Sequence, residues 1–153
     1  MSEDIHMGLP LEIGQEVPNV DLPTLVDGKF ENLNTKEEFA GKRVILFSLP
    51  GAFTPTCSNN QLPGFEEKFA EFQEKGIDAI YCLSVNDSFV MSAWFELKGI
   101  VNVKPLADGN GEFTHKIGAE CKKSNVGFGY RSWRYAVVLN DGLVESVFIE
   151  EGF

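Results

Sequence analysis

The chain has 153 residues, 43% of them hydrophobic and 24% charged, which suits one domain with one buried core and leaves no room for extensive disorder. A formal charge of −10 repels phosphate backbones and anionic headgroups, so nucleic-acid and membrane partners are not expected. The first residues, Met1 to His6, lack the basic and apolar regions of a secretory signal. Cys57, Cys82 and Cys121 are too few and too widely spaced for a disulfide framework, so a reduced, cytoplasmic setting is expected. With only His6 and His115 and no Cys-x-x-Cys pair, neither a metal site nor a cofactor is expected.

In chain order, Val17–Leu22 and Lys29–Glu31 flank Asp27-Gly28 and predict an N-terminal hairpin. Asn34 followed by Glu37 and Glu38 predicts a capped short helix that Gly41 stops. Arg43–Leu49 is an unbroken apolar run of the sort found in a strand covered on both faces. Pro50-Gly51 breaks it, and a helix is expected from Thr56. Phe65, Phe69 and Phe72 recur there at helical spacing, and Pro63 should kink or divide the helix.

Gly76 ends that helix. Ala79–Val85 predicts a second buried strand, parallel to the first, and Asn86-Asp87-Ser88 caps the next helix. Val103–Leu106 predicts a short strand and Glu112–Ile117 a short helix. Asn140-Asp141-Gly142 between Tyr135–Leu139 and Leu143–Ile149 is a strong hairpin signal. The sum is an α/β chain of one domain spanning residues 1–153, with a mixed central sheet, flanking helices and an N-terminal hairpin.

Chemistry concentrates in Pro50-Gly51-Ala52-Phe53-Thr54-Pro55-Thr56-Cys57, where a buried parallel strand delivers the chain to a helix start. A thiol in a first helical turn meets unpaired backbone N–H groups and the positive end of the helix dipole, which lower its pKa and raise its thiolate fraction. Elsewhere a cysteine is more often a small buried hydrophobe.

Pro-x-x-x-Thr-x-x-Cys at Pro50, Thr54 and Cys57 resembles the active-site signature of the peroxiredoxins. Val85-Asn86-Asp87-Ser88-Phe89-Val90-Met91 and Arg131-Ser132-Trp133-Arg134-Tyr135 extend the likeness to the type-II or five-like subfamily. The resemblance implies a thioredoxin-like fold, a homodimer, and an antioxidant thiol peroxidase acting on hydrogen peroxide and alkyl hydroperoxides through a Cys57 sulfenic acid. It makes Cys57 the nucleophile, Thr54 the hydroxyl that holds thiolate and peroxide together, and Pro50 the shield from water. It makes Arg131 the fixed positive charge, with Arg134, three residues on, as the alternative.

Recycling needs a second thiol, from glutathione, glutaredoxin or thioredoxin, or from within the chain. Cys82 matches a cysteine of plant type-II members regarded as a possible resolving residue, yet its strand is expected to be buried. Cys121, before Lys122-Lys123, is expected in an exposed polar segment and matches no resolving position. A glutathione- or glutaredoxin-dependent one-cysteine cycle is therefore preferred to a Cys57–Cys82 disulfide. The family's C-terminal helix is apparently missing after Ile149, so one sheet face is expected to be incompletely covered. A Cys57–His115 hydrolase fits poorly. A redox sensor or holdase signalling through Cys57 oxidation remains the non-enzymatic alternative.

Overall fold

The computed structural model describes residues 11–55 and 60–149. Cys57 lies outside the described residues, as does the expected helix start at Thr56.

The expected N-terminal hairpin is present, shifted a few residues along: β1 (Asp21–Val26) pairs antiparallel with β2 (Lys29–Asn34). Asp27 and Gly28 take left-handed conformations, φ 51° and 81°, as the two central residues of a tight hairpin turn require. Asn34 caps α1 (Thr35–Phe39), its side chain accepting from the Glu37 N–H. Gly41, at φ 70°, then turns the chain into β3 (Arg43–Ser48).

Beyond the active-loop segment come α2 (Leu62–Glu67) and α3 (Phe69–Glu74), then β4 (Ala79–Ser84), parallel to β3 as expected. The helix is divided, but Pro63 is not the cause. Pro63 sits in the first turn of α2, a position that the fixed φ of proline suits. The break falls at Lys68, whose backbone leaves the helical region at φ −94°, ψ 7°.

Helix α4 (Ser88–Leu97) is capped by Asp87, whose side chain accepts from the Val90 N–H. Strand β5 (Lys104–Ala107) and helix α5 (Glu112–Lys116) follow. A ribbon absent from the sequence reading comes next: β6 (Glu120–Lys122) paired antiparallel with β7 (Tyr130–Ser132) across a short 3₁₀ turn at Ser124–Val126. The hairpin β8 (Tyr135–Asn140) and β9 (Leu143–Ile149) turns at Asp141 and Gly142, φ 54° and 79°.

The main sheet runs β5-β4-β3-β8-β9: a parallel half and an antiparallel half meeting at β3. Alternation along β3 and β8 divides the core in two. Val44, Leu46, Tyr135, Val137 and Leu139 pack with the hairpin and α5 on one face. Ile45, Phe47, Leu49, Ile80 and Cys82 pack with α2 and α4 on the other, with Ala136 and Val138 against them. On this second face a groove of about 440 Å³ lies open, lined by Ile45, Phe65, Phe72, Val138 and Phe148, and Phe148 is 61% exposed. No helix of the described residues is long and apolar enough to cross a membrane.

Candidate active site

The C-terminal end of β3 delivers Pro50, a buried residue, to the edge of the sheet. Ligand sites of α/β folds collect at this edge because the chain leaves the strands there in loops free to vary. Gly51 to Thr54 then form a four-residue turn. The Gly51 carbonyl accepts both the Thr54 N–H, at 3.4 Å, and the Thr54 hydroxyl, at 2.7 Å. With its proton directed to Gly51, the Thr54 oxygen keeps its lone pairs as acceptors for an incoming O–H.

Phe53, the third residue of this turn, has φ 68°, a region that bulky side chains rarely adopt. Two contacts hold it there. Its ring packs 6.4 Å from that of fully buried Trp94, and the preceding Ala52 N–H donates to Asn86 Oδ1 at 3.0 Å. Ser84 Oγ donates to the same Asn86 oxygen at 2.5 Å, tying the turn to the end of β4.

Arg131 comes from β7, on the separate two-stranded ribbon. Its Nη1 donates to the Pro50 carbonyl at 2.9 Å and its Nε to the Phe128 carbonyl at 3.1 Å, while the guanidinium lies 5.0 Å from the centre of the Phe128 ring. A Cβ on Gly51 would come within 2.4 Å of Arg131 Nη1, so this approach needs glycine at position 51. Pro50, Gly51, Thr54 and Arg131 are therefore gathered at one place.

Arg134 is nearer than sequence spacing suggested. It is 8% exposed and donates to the side-chain oxygen of Gln61, just before α2. Tyr135 pairs with Ser48, so Arg134 stands at the sheet edge beside the exit of β3. Alternation puts it on the face of Ala136 and Val138, the face covered by α2. Between the two arginines, Ser132 is fully buried and accepts from Ser48 Oγ at 2.8 Å, fixing the path from β7 to β8 against β3.

The remaining candidates lie apart from this cluster or differ from expectation. Cys82 is fully buried in β4, opposite Phe47 of β3 and Pro105 of β5, as its strand predicted. Cys121 is not exposed. It is the inward residue of β6, 5% exposed, paired across the ribbon with Arg131, and burial pushes its thiol up from the ordinary value. Of Lys122-Lys123, the pair that suggested exposure, Lys122 is with Glu120 an outward residue of the same three-residue strand, while Cys121 points inward. His115 is solvated, 73% exposed, and contacts Glu120 at 3.3 Å. Asn86 stands in the sequence both in a helix cap and in the Val85–Met91 stretch of the resemblance, without a role of its own; its bond to Ala52 ties it to the turn.

The redoxin family model matches residues 12–152. A peroxiredoxin of Rhizobium etli is 61% identical over 125 residues, covering 82% of this chain and 70% of that protein. The hybrid peroxiredoxin hyPrx5 of Haemophilus influenzae is 47% identical over 137 residues, 90% of this chain and 57% of its own length. The crystal structure of reduced Prx3 from Vibrio vulnificus in complex with H2O2 matches with a TM-score of 0.89 at 40% identity, covering 94% of this chain and 91% of that one. A thioredoxin-like fold with this site defines a class of thiol-dependent peroxidases. The chain belongs to that class, the peroxiredoxins, in their type-II or five-like branch. It spans 57% to 70% of the length of the two curated relatives described.

Proposed function

We propose that this chain reduces hydrogen peroxide and alkyl hydroperoxides with Cys57 as nucleophile. The observation that carries the reading is the bond from Arg131 to the Pro50 carbonyl, which joins the two distant motif segments at the strand edge from which the Cys57 segment departs. The Cys57 thiolate attacks one peroxide oxygen, the O–O bond breaks, and a proton reaches the leaving oxygen, giving water or an alcohol and a Cys57 sulfenic acid. Thr54 orients the peroxide through its hydroxyl, and Pro50, buried at the strand end, limits water at the sulfur. Arg131 supplies a charge that stays protonated, stabilising both the thiolate and the developing charge on the leaving oxygen.

A second reading gives Arg134 the contact with sulfur. It is supported by burial and by its place on the α2 face next to Gln61, whereas Arg131 already spends two nitrogens on main-chain carbonyls. Arg131→Lys and Arg134→Lys separate the two readings. The variant that loses the sulfur contact shifts the pH midpoint of Cys57 alkylation upward.

Recycling proceeds through an external thiol of the glutathione or glutaredoxin kind: it condenses with the sulfenic acid, releasing water and forming a mixed disulfide, and a second thiol then regenerates Cys57. Full burial of Cys82 supports this over an internal disulfide, which would require β4 to open. Two core clusters sharing one sheet support a single domain. The half-exposed rings of Phe53 and Phe89, beside the turn and on α4, support a homodimer through this rim.

Stopped-flow mixing of the reduced chain with hydrogen peroxide and an organic hydroperoxide tests the reading. Rapid stoichiometric oxidation that disappears in Cys57→Ser supports it; oxidation no faster than that of a free thiol sinks it. Sustained turnover with a thiol reductant separates a peroxidase from a sensor oxidised once.

A further inference from the structure

We infer that Asn86 is a positioning residue for peroxide reduction, acting through the Ala52 N–H to hold the turn that presents Thr54. The inference rests on the peroxidase reading above. Three observations carry it. First, Asn86 Oδ1 is the side-chain acceptor for the Ala52 N–H, at 3.0 Å, and the same oxygen is fixed by Ser84 Oγ at 2.5 Å. Ser84 is fully buried at the end of β4, so the acceptor is anchored to the rigid sheet rather than to a mobile loop. Second, Phe53, immediately after Ala52, holds φ 68°, a strained conformation for a non-glycine residue that persists only where its surroundings impose it. Third, the turn closes on Thr54, whose N–H and hydroxyl both meet the Gly51 carbonyl, so relaxation at Ala52 and Phe53 moves the Thr54 oxygen directly.

Asn86 is also held from behind. A Cβ on Gly109 would meet Asp87 Cα at 3.4 Å and the Asn86 carbonyl at 3.6 Å, so the 86–87 backbone is backed by the Gly109 loop. The carboxamide therefore acts as a rigid strut between β4 and the turn. Released from it, the Phe53 backbone relaxes toward negative φ and Thr54 leaves the place where a peroxide oxygen must be held. Alkylation needs only the Cys57 thiolate, whereas peroxide reduction also needs the Thr54 oxygen in place. The consequence is a specific split: peroxide chemistry depends on Asn86, and thiolate formation does not.

The experiment compares wild type with Asn86→Ala, Asn86→Ser and Asn86→Asp. Stopped-flow peroxide oxidation and iodoacetamide alkylation of Cys57 are both measured on each protein, with Cys57 followed by mass spectrometry of its peptide. Asn86→Ala and Asn86→Ser remove the acceptor or pull it out of reach, and should slow peroxide oxidation roughly tenfold to a hundredfold. Alkylation rate and its pH midpoint should stay within about twofold, since iodoacetamide needs only the thiolate. Asn86→Asp keeps an oxygen in place and should recover most of the peroxide rate. If Asn86→Ala does not fold, Asn86→Ser carries the same expectation, because it keeps a polar side chain at the bend. Peroxide oxidation unchanged in the folded variants overturns the inference, as does a parallel fall of both reactions, which would mark Asn86 as merely structural. A wild-type chain that is itself slow with peroxide would instead defeat the peroxidase reading.

Discussion

Arg131 Nη1 reaches the Pro50 carbonyl, 81 residues earlier in the chain, at 2.9 Å, and passes so close to Gly51 that a Cβ there would lie 2.4 Å away. Gly51→Ala is therefore expected to push the guanidinium aside rather than to unfold the protein, because the clashing atom is the end of a flexible side chain. Denaturant midpoints should change by less than about 1 kcal/mol equivalent, while peroxide oxidation of Cys57 falls at least tenfold or so. Urea titration and stopped-flow kinetics on the same preparation check both halves.

Cys82→Ser separates packing from chemistry. Cys82 is fully buried among apolar residues of the α2 face, so a hydroxyl there should cost about 1–3 kcal/mol of stability. The first peroxide turnover should remain at the wild-type rate, and glutathione- or glutaredoxin-supported cycling should persist. Cycling that stops in Cys82→Ser would assign resolution to this thiol.

Glu66 predicts an acid-sensitive link. Burial disfavours its charge, but N–H groups of Val103, Val101 and Asn102, with the Asn102 side chain, outweigh that and hold the carboxyl below its ordinary value of 4.5. The sign follows from a depressed folded-state pKa: the stability gained is complete above the unfolded value and is lost as pH falls through the folded one. Glu66→Gln should thus be less stable than wild type at pH near 7, and the gap should narrow as pH falls below the ordinary carboxyl value. Urea midpoints across this range provide the measurement.

Asp87→Ala offers a contrast to its neighbour. Asp87 accepts the Val90 N–H at 2.9 Å as the cap of α4, so its loss should cost roughly 1 kcal/mol of stability. It makes no hydrogen bond to the Pro50–Thr54 turn, and peroxide oxidation should hold at the wild-type rate. Two adjacent residues would then divide cleanly, one toward helix stability and one toward reaction geometry.

Where local chemistry decides structure, the sequence was readable. Asp27-Gly28 and Asp141-Gly142 have the residues that tight hairpins demand, Asn34 and Asp87 cap as their types suggest, and the two apolar runs became the parallel pair β3 and β4. Where tertiary contacts decide it, the reading failed. Strands β6 and β7 have three residues each and owe their form to pairing across a glycine-bearing loop, so no period could emerge. Cys121 was misjudged for the same reason, since in-and-out alternation over three residues looks like a polar segment. Of the site, Pro50 and Thr54 were legible through their spacing. The contact of Asn86, which lies in the Val85–Met91 stretch of the resemblance, was not, because a side chain that accepts from a backbone N–H 34 residues away leaves no local pattern.

The order of strands also fixes when the protein becomes reactive as it is made. The turn at Pro50–Thr54 belongs to the parallel half of the sheet, but Arg131, Ser132 and Arg134 arrive with β7 and β8, which close onto β3 from the far end of the chain. A nascent polypeptide that has left the ribosome through β4 already carries Cys57 and lacks Arg131 and Arg134. On the peroxidase reading proposed above, the Cys57 thiol therefore lacks the arginine contribution until β8 docks beside β3, and oxidant encountered before that moment meets a slower thiol.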